Sequence, residues 1–130
     1  MRYQLFGRSG LRISEYVLGA ATFGSEPAVA GVAGAKAIFE GFVAAGGTTF
    51  DVSNIYRNGE AESILGDLLG RDREDFVLIT KYSGTRLADV RPGTTGSSRR
   101  TMVRSLEDSL RRLKPATFTS SRHTSRMGSP

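Results

Sequence analysis

The chain has 130 residues, 38% of them apolar, with no cysteine, no tryptophan and a formal charge of +5. One ordinary domain or less is the natural reading of that length. The lack of cysteine excludes disulfide scaffolds, thiolate zinc sites and thiol nucleophiles, and no apolar run reaches the ~18 residues of a membrane-spanning helix. The opening MRYQLFGRSG has no apolar stretch of the secretory kind, so the expectation is a cytoplasmic protein with no membrane partner. Fifteen of the 18 basic residues are Arg. Arg99, Arg100, Arg104, Arg111 and Arg112 gather on one predicted helix among Glu107 and Asp108, with no aromatic platform. They read as a solvated helix face and not as a nucleic-acid surface.

In chain order, Arg2–Phe6 and Leu11–Ile13 flank the turn Gly7–Gly10 and predict a β-hairpin. Tyr16–Gly19 is a compact apolar run of the kind that forms a buried parallel strand. The small residues of 20–30 predict a loop. Ala35, Ile38, Phe39 and Phe42 recur at helical spacing within Gly31–Ala45, and Gly46-Gly47 ends that helix. Thr48–Val52 is β-branched and aromatic and predicts a strand. Glu60–Leu69 places Ile64, Leu65, Leu68 and Leu69 on one helical face, with Gly70 as its stop. Phe76–Lys81 (FVLITK) is the clearest strand, and 82–97 a polar loop. Ser98 caps a last helix with a stripe of Val103, Leu106, Leu110 and Leu113 and with Glu107/Arg111 and Asp108/Arg112 pairs. The order hairpin, β, α, β, α, β, α predicts an α/β fold of parallel strands joined by crossover helices.

Parallel strands bring their C-terminal ends to one rim, where α/β sites form. Asp51 ends the second predicted strand, Tyr56 follows in the next loop, and Lys81 ends the third. A Lys ammonium beside a phenol favours the phenolate, and a carboxylate holds the Lys charged. Such a Tyr can hand a proton to a developing alkoxide. Read separately, the same residues are a loop cap, a half-buried packing residue and a solvated strand end. A dinucleotide-binding turn of the Gly-x-Gly-x-x-Gly kind is not written, because residues 18–24 read LGAATFG.

The sequence resembles the N-terminal part of the aldo-keto reductases. MRYQLFGRSGLRISEYVLGAATFG is similar to that family's N-terminal hairpin and first barrel strand. AAGGTTFDVSNIYRNGEAESILGDLLG resembles its second strand, Asp-x4-Tyr loop and second helix; FVLITKY resembles the third strand with its Lys, and SLEDSLRRLK the third helix. The likeness runs in register over about residues 1–114. It implies a hairpin followed by the first three β/α units of a (β/α)8 TIM barrel, incomplete, and reduction of a small-molecule aldehyde or ketone with NADP(H) or NAD(H). It implies catalytic roles for Asp51, Tyr56 and Lys81, with Tyr56 as general acid, a nicotinamide near Gly19 and Asp51, and no metal. Two positions depart from the pattern: Ala20 stands where Thr is frequent, and Arg57 where Gly is common.

Residues 115–130, PATFTSSRHTSRMGSP, fit neither period nor family, and predict a disordered tail outside the domain of residues 1–114. The family's fourth residue, a His, belongs about ten residues past Lys114; His123 stands nine past it among residues unlike a strand. With one permitted codon choice for Pro115–Pro130, one nucleotide restored after the Lys114 codon gives Thr-Gly-Tyr-Ile-His-Leu-Leu-Gln-Ala-His-Val-Ala-Asp-Gly-Val-Thr, which resembles the family's fourth strand. The expectation is a frameshift. Closing the barrel takes roughly 250 residues. These 130 residues are therefore expected to bind cofactor poorly and to be inert alone. The competing expectation is a non-catalytic, reductase-like regulatory module.

Overall fold

The computed structural model describes residues 1–25, 30–85 and 90–114. The predicted tail, His123 with it, lies outside the described residues. Strands β1 (Tyr3–Leu5) and β2 (Arg12–Ser14) form an antiparallel hairpin in the register Tyr3↔Ser14. Then follow β3 (Leu18–Gly19), α1 (Gly31–Ala44), β4 (Thr49–Asp51), α2 (Glu60–Leu69), β5 (Val77–Ile79) and α3 (Arg99–Leu113). The sheet β3-β4-β5 is parallel throughout, with Leu18↔Phe50↔Leu78 forming one row and Gly19↔Asp51↔Ile79 the next. This is an α/β arrangement with an N-terminal hairpin and a partial barrel that does not close.

Side chains alternate along each strand, so the row Leu18–Phe50–Leu78 faces the helices. Phe50 is fully buried there, stacked on Phe39 at 5.2 Å and edge-on to Phe42 and Phe76 at 5.4 and 5.6 Å. α2 adds Ala61, Ile64, Leu65 and Leu69 to the same core. α1 ends in a Schellman turn: Gly46 N–H donates to Val43 O and Gly47 N–H to Phe42 O. Gly46 stands at φ +88°, which a side chain would strain. The hairpin seats at the opposite end of β4 from Asp51, where Ser14 N–H donates to Thr49 Oγ1 at 3.3 Å and Thr48 N–H to Ser14 Oγ at 3.2 Å.

Three expectations need correction. Tyr16 and Val17 are 66% and 42% exposed and lie outside the strand, because among the described residues β3 pairs with β4 alone and its outer side is bare. On α3, Val103, Leu106 and Leu110 are exposed, whereas Thr101, Ser109 and Leu113 are buried. The helix seats its polar side on α2. Gly66 permits that seat: a Cβ there would lie 2.8 Å from the backbone of Arg112 and Leu113. The expected i,i+4 ion pairs give way to it as well. Arg112 turns inward to Glu62, and Arg111 pairs with Asp108. The Ser98 cap forms as expected, its Oγ accepting from Thr101 N–H at 3.1 Å. No helix among the described residues is long and apolar enough to cross a membrane.

Candidate active site

Asp51 is the last residue of β4, and Lys81 lies two residues beyond the end of β5. The Lys81 ammonium donates to Asp51 Oδ1 at 2.9 Å, to Oδ2 at 2.8 Å and to the Val52 carbonyl at 2.9 Å. Tyr56 opens a short 3-10 turn, Tyr56–Gly59, before α2. Its ring centroid is 5.0 Å from Lys81 Nζ, within cation–π range. The three residues read from the sequence are thus brought together at the C-terminal rim of the sheet. Partial burial alone would lower the Lys81 pKa, but its hydrogen bond and charge contact with Asp51, and then those with Tyr56, outweigh burial and hold it above the ordinary lysine value.

Gly19 is the register partner of Asp51, and Ala20 N–H donates to Asp51 O at 2.8 Å. Ala20 is fully buried, so it belongs to the core. Among the described residues, a Cβ at Gly19 would meet nothing within 4 Å, so these leave the rim beside Asp51 open. A cleft of about 500 Å³ is lined by Ala21, Ile55, Tyr56, Arg57, Asn58 and Glu60. Glu60 accepts from the Ser25 hydroxyl and backbone N–H, which hold its carboxyl below the usual carboxylate value.

The loop after Tyr56 carries a cost. Arg57 and Asn58 stand at φ 49° and 54°, and Gly59 follows at 89°. A left-handed conformation costs a residue with a side chain about 1–2 kcal/mol, though Asn tolerates it better than most. The turn demands this geometry at position 57, where glycine would carry no strain. Beneath the rim, Thr80 Oγ1 donates to Glu62 Oε1 at 2.7 Å, and Arg112 Nε donates to Glu62 Oε2 at 2.6 Å. Neither Glu62 nor the Val52 carbonyl stood out as a site group in the sequence. The carbonyl leaves no sequence signal, but Glu62 does: it precedes Leu65 and Leu69 by three and seven residues on the buried side of α2.

The profile of the Aldo/keto reductase family matches residues 15–118. The chain belongs to the aldo/keto reductase family. It is 40% identical over 119 residues to a rice protein named a probable voltage-gated potassium channel subunit beta, covering 87% of this chain and 34% of that one. It is 31% identical over 125 residues to the NADP(+) aryl-alcohol dehydrogenase of Phanerodontia chrysosporium, covering 85% and 32%. An aldo-keto reductase of Bacillus halodurans, solved in its holo form, superposes with a TM-score of 0.73 at 26% identity over 87% of this chain and 36% of its own. The chain spans about a third of the length of these relatives.

Proposed function

We propose that Asp51, Tyr56 and Lys81 form the proton-donating part of a site that reduces a small aldehyde or ketone at the expense of NADP(H) or NAD(H). The observation that carries this reading is the Lys81 ammonium, bonded to both Asp51 oxygens and 5.0 Å from the Tyr56 ring at the C-terminal rim. The nicotinamide, when bound, supplies a hydride to the carbonyl carbon. Tyr56 gives its hydroxyl proton to the carbonyl oxygen as that oxygen gains charge, completing the alcohol. The Lys81 ammonium stabilises the phenolate left on Tyr56, and Asp51 keeps the ammonium charged and aimed. The open rim at Gly19, beside the Asp51 carboxylate, suits the approach of a flat ring, so these two residues would flank the nicotinamide. The naming of NADP(+) in the aryl-alcohol dehydrogenase favours the phosphorylated cofactor.

The finer reading of residues 115–130 is a shifted frame, supported by the strand-like translation that one restored nucleotide gives. The gene downstream of the Lys114 codon then holds an open frame for the remaining strands. A chain expressed with that nucleotide restored reduces carbonyls with NADPH, and Tyr56→Phe lowers its turnover by about 10²–10⁴-fold. Equal turnover in the Tyr56→Phe chain overturns the site reading, and a downstream sequence without an open frame overturns the frameshift. A second reading, a non-catalytic regulatory module, draws support from the printed name of the rice relative. A specific, stable protein partner recovered equally well with wild-type and Tyr56→Phe chains supports it.

A further inference from the structure

The ladder of β5 ends at Ile79, whose carbonyl accepts from Val52 N–H at 2.9 Å. Thr80 and Lys81 therefore leave the sheet before the amine reaches Asp51, and strand pairing does not fix their direction. A side-chain anchor does. The Thr80 hydroxyl donates to Glu62 Oε1, and Glu62 is fully buried. The other Glu62 oxygen accepts from Arg112 Nε, and the Arg112 side chain is only 15% exposed. A further guanidinium N–H of Arg112 donates to Ser109 Oγ at 3.4 Å. A buried ion pair of this kind seldom adds stability over a well-packed apolar pair, so stability alone is a weak reason for its presence.

We propose that Glu62 is a positioning residue that acts through Thr80 to aim the Lys81 amine at Asp51 and Tyr56. This rests on the reading of Lys81 given above. The carboxylate is clamped between the exit of β5 and α3. It holds the residue before Lys81 at the depth from which Nζ reaches both Asp51 oxygens and the Val52 carbonyl. No contact between Glu62 and a substrate is involved. A pin that merely joined α2 to α3 would need only the Arg112 oxygen; the Thr80 bond directs the second oxygen at the strand exit.

The test exploits the lysine count, since Lys36, Lys81 and Lys114 are the only three. Incorporation of ¹³C-labelled lysine leaves every amine N–H in place and gives each lysine a ¹³Cε NMR titration, with Lys81→Arg identifying its signal. In the wild-type chain Lys81 titrates above the ordinary lysine value. Thr80→Val removes the hydroxyl at nearly constant shape; it lowers the Lys81 midpoint by about half a pH unit or more, leaves Lys36 and Lys114 in place, and Thr80→Ser restores the shift. An unchanged Lys81 midpoint in folded Thr80→Val, whatever happens to Tm, overturns the proposal. Thr80→Ala leaves room for a water at Glu62 and is read by the same criteria if the Val variant does not fold. The functional reading fails on a different result, the retention of turnover by Tyr56→Phe in the frame-restored chain.

Discussion

α1 and α3 are both long helices of this small fold, and they are held by opposite means. α1 sets Phe39 and Phe42 against Phe50 in a dry aromatic cluster on the sheet. α3 meets α2 where Arg112 and Leu113 close on Gly66 and Arg112 pairs with Glu62; it buries Thr101 and Ser109 and leaves Val103, Leu106 and Leu110 partly exposed. An apolar stripe states how much a helix can bury; on α3 the side that turns inward is the one carrying Arg112 and Leu113. The contrast also separates tasks, because the dry interface supplies stability while the polar one runs up to the base of the candidate site.

The sharpest way to break this contrast is Glu62→Ala. It strands the Arg112 guanidinium and should cost about 3–5 kcal/mol in urea unfolding, whereas Glu62→Leu combined with Arg112→Met should recover most of the loss. A single variant costing under about 1 kcal/mol would show that the polar seam holds nothing. Next come two glycines, Gly66 in α2 where α3 seats and Gly41 in α1. Gly66→Ala drives a Cβ against the α3 backbone and should cost about 1–3 kcal/mol, while at Gly41 a Cβ meets nothing within 4 Å, so Gly41→Ala should stabilise by about 0.5–1 kcal/mol. Equal effects at the two positions would erase the distinction in packing.

A smaller effect concerns pH. The folded chain holds the Lys81 proton more tightly than the unfolded chain does, because the Lys81 pKa is raised above 10.5. The stabilisation by this group is therefore complete below the ordinary lysine range and is lost as the pH climbs through the raised value. Thermal unfolding should show the gap between wild type and Lys81→Met narrowing above about pH 10. A gap that widens there would reverse the assigned direction. Smallest of all, Leu106→Ser should change stability by no more than about 0.5 kcal/mol, since that side chain is already in water; a large loss would mean that the α3 stripe is covered in solution.

Much of this was legible because it is local. The bounds of α2 follow from its apolar spacing and Gly70, the start of α3 from Ser98, and the end of α1 from Gly46-Gly47. The meeting of Asp51, Tyr56 and Lys81 follows from a rule of topology, that parallel strands end on one side. What escaped was non-local. Glu62 and Arg112 are 50 residues apart, and neither residue names its partner. The exposure of Tyr16 and Val17 depends on which strands stand beside β3, which an apolar run cannot state. The positive φ of Arg57 is set by the path from the rim into α2 and overrides the preference of an Arg side chain.

That path has a mechanical meaning. Tyr56 and Glu62 sit six residues apart on one stretch of backbone, one at the mouth of the cleft and one under the floor of the rim. Between them the chain passes through Arg57, Asn58 and Gly59, all at positive φ. Arg57→Gly relieves that turn, and its effect is expected at both ends of the tether, at the phenol and at the carboxylate that accepts from Thr80.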